Sequence, residues 1–137
     1  MVELIQSNKE LGFAEYYMLQ NIENGENGFM NEVCGMDYEQ YKKWLVDQDN
    51  FHIGKNLPVG WIPFTTYFLY DNNIPVGISR IRHETSKFLQ TVIGAGEIGY
   101  GISKEYRGKG YGNIFTYTVH GICIFTEFKK QYMSKRA

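Results

Sequence analysis

The run GEIGYGIS at Gly96–Ser103 leads into EYRGKGYGNIF at Glu105–Phe115, the segment called here the glycine loop. Its centre alternates glycines with larger residues, in the order Arg107, Gly108, Lys109, Gly110, Tyr111, Gly112 and Asn113. Glycine lets backbone N–H groups approach a ligand closely, because no Cβ intervenes and positive φ costs little. If a helix begins near Gly110, its first N–H groups are unpaired and carry the positive end of the helix dipole. A strand, this loop and a helix in that order predict a phosphate or pyrophosphate site.

Two familiar phosphate-binding loops do not fit this spacing. A Walker A loop needs an earlier glycine at a fixed distance and a Ser or Thr after Gly-Lys, whereas Gly110 follows Lys109 here. The dinucleotide pattern GxGxxG needs a third glycine where the chain has Asn113. From spacing alone, a plain turn that joins a strand to a helix stays open as the alternative.

Composition narrows the class of protein. A chain of 137 residues suits one domain, 1–137, and its net charge of −1 does not indicate a nucleic-acid-binding surface. No apolar run approaches the length of a membrane helix, and the N-terminus lacks the plan of a signal peptide. We therefore expect a cytoplasmic protein without nucleic-acid or membrane partners.

The cysteines and histidines do not indicate a metal site. Cys34 and Cys123 are widely spaced, which predicts reduced, inert thiols rather than a disulfide or a ligand pair. His52 and His120 lack neighbours at metal-ligand spacing. We expect no metal.

The pattern of apolar residues predicts an α/β (α+β) fold with the order β-α-α-β-β-β. Val2–Ile5 reads as a first strand, Ser7 as the cap of a first helix and Asp37 as the start of a second helix. Thr65–Tyr70 reads as a strand, followed by a hairpin turn at Asp71–Asn73.

The third strand has an unusual pattern. Ile74, Val76 and Ile78 share one phase, and Arg80 and Arg82 continue it. The buried face must therefore end, or a bulge must intervene before Ile81. The two arginines are expected to form a solvated or salt-bridged face rather than a substrate clamp. Glu97–Ser103 is the predicted last strand.

These motifs resemble those of the GNAT N-acetyltransferase superfamily. Arg107-x-x-Gly110-x-Gly112 after a strand looks like its R/Q-x-x-G-x-G/A acetyl-CoA signature. The runs LPVGWIP, VGISRIRHE and GEIGYGISKEYRGKGYG are similar to a bacterial branch of predicted acetyltransferases. The resemblance covers about Leu57–Ile114. It implies an acyl-CoA N-acyltransferase fold, with a mostly antiparallel sheet flanked by helices.

The resemblance also implies a role for each part of the site. The strand at Gly101, Ile102 and Ser103 would offer main-chain groups to the pantetheine arm of acetyl-CoA, with Gly99 and Gly101 leaving its face open. The pyrophosphate would lie on the N–H groups of Gly108 to Asn113, framed by Arg107. An acetyl group would pass directly from the thioester to a primary amine.

The amine must lose a proton, so a general base is required. Glu97 is the first candidate, because alternation along the strand places it on the face of Gly99 and Gly101. A solvent-facing glutamate at a strand start is the alternative for that residue. His83 is the second candidate for the base, although a strand histidine between Arg82 and Glu84 is more often structural.

The C-terminal part departs from the family pattern. Only 25 residues follow Gly112, where the family has further helices and strands, so the resemblance implies a truncated domain. Two functions therefore stay open: an active N-acetyltransferase, and a non-catalytic CoA-binding or dimerising remnant. Apolar residues in 117–125 predict that the last 25 residues either pack against a second copy, giving a homodimer, or are the least ordered part of the fold.

Acidic residues near the connection between the first two helices suggest a rim that attracts a cationic acceptor. They are Glu23, Glu26, Glu32, Asp37 and Glu39. The alternative is an ordinary solvated loop.

Overall fold

The computed structural model describes residues 2–25, 29–82 and 98–111. In this part the chain runs β1 (Val2–Gln6), α1 (Phe13–Gln20), α2 (Tyr38–His52), β2 (Phe64–Asp71), β3 (Ile74–Arg82) and β4 (Ile98–Ile102). A 3-10 turn at Lys104–Tyr106 follows β4. The predicted α+β class and element order are confirmed. The strands form one sheet in the order β1-β2-β3-β4, and every neighbouring pair is antiparallel.

The first helix begins later than the sequence predicts, so the capping role assigned to Ser7 is wrong. The backbone N–H of Ser7 donates to the carbonyl of Thr66 at 2.8 Å, which carries the pairing with β2 one residue past β1. α1 begins at Phe13 after Gly12, whose N–H donates to the Glu15 carboxylate at 3.2 Å. A backbone bond to β2 thus holds Ser7 beside the sheet and away from the helix terminus.

The second helix follows its sequence signals closely. Asp37 is its N-cap, and the carboxylate accepts the N–H of Gln40 at 2.8 Å, which satisfies one of the unpaired donors of the first turn. Tyr41, Trp44 and Leu45 are buried on one face, whereas Tyr38 is exposed. Asp37 and this apolar stripe together fix where α2 begins and which side faces the sheet.

The hairpin between β2 and β3 is closed by two asparagines in the left-handed region. Asn72 has φ 50° and Asn73 has φ 68°. Two consecutive residues with positive φ are the requirement of a type I′ turn, whose twist matches that of antiparallel strands. The predicted hairpin turn is confirmed.

A bulge in β3 lies earlier than expected and corrects the predicted phase. Leu69 pairs with Gly77 and Tyr70 pairs with Pro75, so Val76 has no residue of β2 opposite it. Val76 therefore packs with Leu69 on the sheet face away from the helices, whereas Ile78 packs on the helix-covered face. The prediction that Val76 and Ile78 share a face is wrong, because the extra residue shifts the alternation.

The larger core lies between the sheet and the two helices. α1 packs against β3 and α2 packs against β2. Its fully buried members include Leu19, Ile22, Tyr41, Leu45 and Phe68. Burying each large apolar side chain contributes about 1.5–3 kcal/mol before the entropic cost of ordering it. No helix of the described residues is long and apolar enough to cross a membrane.

Two tyrosines tie α1 to the rest of this core. The Tyr41 hydroxyl donates to the Gly12 carbonyl at 2.9 Å, and the Tyr70 hydroxyl donates to Glu15 Oε2 at 2.8 Å. Burial raises the pKa of both phenols well above the ordinary value. The neighbouring Glu15 carboxylate raises both values further, and for Tyr70 it does so also as hydrogen-bond acceptor.

The raised pKa values predict a loss of stability at alkaline pH. Because the folded-state pKa exceeds the unfolded one, the stabilisation is complete below pH ~10 and is lost as the pH rises through the folded-state values. Urea unfolding midpoints should therefore fall between pH ~10 and ~12, and fall less steeply in Tyr70→Phe. Equal slopes in the wild type and the variant would contradict this role of Tyr70.

Candidate functional site

The glycine loop leaves the sheet at the end of β4. Ser103 is buried, and its N–H donates to the Val76 carbonyl at 3.0 Å. The bulge of β3 therefore holds the residue that lies two positions before the glycine loop. The N–H of Lys104 donates to the Asn21 carbonyl at 3.1 Å, which ties the 3-10 turn to the end of α1. The start of the loop is thus fixed by the sheet on one side and by α1 on the other.

The middle of the loop is open backbone. Gly108 has φ 78° and Gly110 has φ 85°, in the left-handed region that larger residues avoid. A Cβ on either glycine would meet no atom of residues 2–25, 29–82 or 98–111 within 4 Å, so these residues leave the space beside the backbone open. Tyr111, the last described residue of the loop, is helical.

Three successive amides of this loop are unclaimed. Within residues 2–25, 29–82 and 98–111, no acceptor takes the N–H groups of Gly108, Lys109 or Gly110. Left-handed residues alternating with ordinary ones turn successive N–H groups toward one side, which makes a concavity suited to an anion. This geometry is compatible with the predicted phosphate site.

Two basic residues lie in the same loop. Arg107 Nε donates to the Ile102 carbonyl at 2.9 Å, which holds the guanidinium against the end of β4. Lys109 is exposed, and its ammonium lies 5.6 Å from the centre of the Tyr106 ring. Both residues therefore contribute positive charge to the glycine loop.

The Tyr111 side chain makes a hydrogen bond to the sheet. Its hydroxyl donates to the Asp71 carboxylate at the hairpin end of β2, and this bond raises the pKa of the phenol. Its ring meets the Tyr106 ring edge-on, with centroids 6.4 Å apart. Tyr111, proposed as a cofactor-binding residue, therefore anchors the glycine loop to the sheet through its side chain.

No family model, no curated protein and no solved structure matches this chain.

The glycine face of β4 is not open, which corrects the expectation for Gly99 and Gly101. A Cβ on Gly101 would lie 3.2 Å from Ile22, and one on Gly99 would lie 3.3 Å from Phe29. Both side chains come from the connection between α1 and α2, which packs directly on the backbone of β4. These two glycines therefore have a packing role, since larger residues would push this connection away.

Other predicted site residues lie outside the described residues. They are both candidate bases, Glu97 and His83, and the end of the glycine loop, Gly112 and Asn113. Their roles stay predictions. The described members of the predicted cofactor site are residues 101–103, at the end of β4, and residues 107–111, and the 3-10 turn joins the two runs.

The predicted acidic rim is mostly engaged in structural contacts. Glu32 Oε1 accepts from Trp44 Nε1 at 2.8 Å and from Arg80 at 3.0 Å. Glu23 pairs with Lys104 at 2.8 Å, and Asp37 caps α2. Within residues 2–25, 29–82 and 98–111, the Glu39 side chain makes no hydrogen bond or ion pair. Glu26 lies outside the described residues.

Arg80 follows the salt-bridged alternative of the sequence prediction. Its side chain is 18% exposed, and its guanidinium lies 5.6 Å from the Phe29 ring centre and 5.2 Å from that of Phe64. Arg82 is exposed at the end of β3. The Arg80 guanidinium thus lies between two aromatic rings and one carboxylate, and it supports the connection between the helices.

Of the cysteines and histidines considered in the sequence, Cys34 and His52 are among the described residues. Cys34 is a half-buried free thiol, and His52 Nδ1 lies 2.6 Å from the Thr65 hydroxyl. In the part of the chain that the structure describes, no group of three or more His, Cys, Asp or Glu side chains is arranged to hold a metal ion.

Proposed function

We propose that the chain binds acetyl-CoA at the glycine loop and transfers the acetyl group to a primary amine, as an N-acetyltransferase of GNAT-like fold. One observation carries the proposal: the unclaimed N–H groups of Gly108, Lys109 and Gly110, at the end of an antiparallel strand. Three converging donors without an internal acceptor suit a diphosphate. Arg107 and Lys109 would neutralise part of its charge.

The second edge of β4 would hold the pantetheine arm. β4 is the last strand in the sheet order, so among the described strands it has a neighbour on one side only. Its outer edge can offer main-chain N–H and C=O groups to the amides of the arm, as an added strand would use them. Ile22 and Phe29 fill the face of β4 at Gly99 and Gly101. The outer edge of the strand is therefore where the pantetheine arm would bind.

Acetyl-CoA supplies the activated acetyl group as a thioester. The protein must place the acceptor amine beside it and remove a proton from the attacking nitrogen. Glu97 is the proposed base and His83 the alternative.

A second candidate is a CoA-binding domain without turnover. The packing at β4 favours it, because Ile22 and Phe29 occupy the strand face that was expected to be open to the cofactor. In this alternative the glycine loop binds the nucleotide end of CoA and the acceptor site is not functional. The chain could then act as a CoA-dependent dimerising module.

Calorimetry with acetyl-CoA and CoA, followed by product detection with a panel of primary amines, separates the two candidates. The enzyme predicts binding together with CoA release that depends on the amine. The remnant predicts binding without CoA release above the uncatalysed rate. Absence of binding to both ligands would overturn both candidates. Light scattering with and without CoA would reveal dimerisation.

A further inference from the structure

A pocket of about 150 Å³ opens beside the glycine loop, between α1, the start of β3 and the 3-10 turn. Its main walls are Tyr17, Met18, Ile74, Pro75, Glu105 and Tyr106. Tyr17 is 51% exposed and Ile74 is 50% exposed, so apolar surface at this pocket faces solvent. Of its lining residues, only Ser103 belongs to the cofactor site predicted from the sequence.

One carboxylate oxygen at this pocket is available to a ligand. The Tyr17 hydroxyl donates to Glu105 Oε1 at 3.2 Å and holds the carboxylate beside the pocket. Glu105 Oε2 has no partner among residues 2–25, 29–82 and 98–111. The neighbouring ammonium of Lys104 is paired with Glu23 at 2.8 Å. A ligand with an N–H donor can therefore bond to Oε2.

The walls select the shape of that ligand. Phenol rings favour a planar partner, which they contact by offset stacking or edge-on, and the apolar side chains favour a group with little charge. A carboxylate acceptor adds the need for an N–H donor. A planar heterocycle with an exocyclic amine, such as adenine, meets all three requirements.

The position of the pocket indicates how such a ring would arrive. Glu105 and Tyr106 line the pocket, and the unclaimed amides begin at Gly108. In a nucleotide, a single ribose joins the base to the diphosphate, so neighbouring sites for the two groups suit one molecule. We propose that the pocket holds the adenine ring of CoA and that Glu105 accepts a hydrogen bond from its exocyclic amine. This inference rests on the proposed function, which places the diphosphate on the glycine loop.

Calorimetry with ADP and inosine diphosphate tests the role of Glu105. Inosine has a carbonyl oxygen where adenine has its amine, so it would face the carboxylate with an acceptor. The wild type should bind ADP about tenfold more tightly than inosine diphosphate, the value of one charged hydrogen bond at a partly exposed site. Glu105→Gln should lose this preference, because an amide can donate as well as accept. Glu39→Gln, at an exposed acid in the first turn of α2, should keep it.

A second variant tests the pocket itself. Ala14 is an exposed lining residue on α1, so Ala14→Phe should fill the space without disturbing the core. Affinity for ADP should fall at least about tenfold, whereas affinity for inorganic pyrophosphate should not change.

The outcomes separate this inference from the proposed function. Equal affinities for ADP and inosine diphosphate in a wild type that binds CoA would overturn the adenine site alone. Unchanged ADP affinity in Ala14→Phe would do the same. If ADP binds with the predicted preference and pyrophosphate does not bind, the pocket stands and the glycine loop is not the diphosphate site. If neither CoA nor ADP binds, both proposals fail.

Discussion

Replacing Gly110 by aspartate is expected to lower the affinity for CoA about 100-fold. The substitution puts a carboxylate into the open space beside the unclaimed amides and directly against the proposed diphosphate. Like charges a few ångströms apart at a protein surface cost a few kcal/mol, and each factor of ten in affinity corresponds to about 1.4 kcal/mol. The φ of 85° adds strain, because aspartate tolerates the left-handed region less well than glycine. Calorimetry with CoA measures the change.

Gly60→Asp is the matched control. Gly60 has φ 86° and free space around its Cβ position, so the variant repeats both the strain and the charge outside the glycine loop. It should keep its affinity for CoA. Gly110→Ala separates the two effects, since it adds strain without charge, and its loss should be below about tenfold. A folded Gly110→Asp protein with wild-type affinity would remove the glycine loop from the site.

Replacing Glu97 by glutamine is expected to lower kcat by about 10²–10⁴-fold, the usual contribution of a general base. The acceptor is an ammonium ion at neutral pH, and a carboxamide cannot take its proton. Affinity for CoA should stay nearly unchanged, because Glu97 precedes β4 whereas the proposed diphosphate site follows it. Steady-state rates with the best amine, measured across pH, provide the test.

The pH profile distinguishes a base from a structural carboxylate. If Glu97 removes the proton, the rate of the wild type falls at low pH as the carboxylate is protonated, and Glu97→Gln loses this limb. Glu39→Gln should keep both the rate and the profile. Wild-type activity in Glu97→Gln would transfer the role to His83, for which His83→Gln is the corresponding variant.

Features set by neighbouring residues could be predicted from the sequence. Asp37 predicts the start of α2, and Asn72 and Asn73 predict the hairpin, because capping and turn preferences depend on a few adjacent residues. The open conformation of Gly108 and Gly110 belongs to the same class. Local rules of this kind also gave the order of elements and the continuity of the loop with β4.

Features set by distant residues could not be predicted. The bulge at Val76 depends on the register of β2, and the tight packing at Gly99 and Gly101 depends on Ile22 and Phe29, more than 60 residues away. The bond of Tyr111 to Asp71 could not be predicted either, because Asp71 lies 40 residues earlier, at the hairpin between β2 and β3. Spacing identifies the loop but not which side chains hold it in place.

The bulge gives β3 one residue, Val76, that the pairing with β2 does not need. The same residue accepts a hydrogen bond from the chain just before the glycine loop. Val76 is the extra residue, so its deletion would leave Gly77 opposite Leu69 and Pro75 opposite Tyr70, with every other side chain on its present face. Deletion of any residue from Ile78 to Ile81 would instead invert the rest of the strand. The carbonyl lost with Val76 is the one that accepts the N–H of Ser103. Deletion of Val76 is therefore expected to preserve the pairing of β2 with β3 and to loosen Ser103, which lies two residues before the glycine loop.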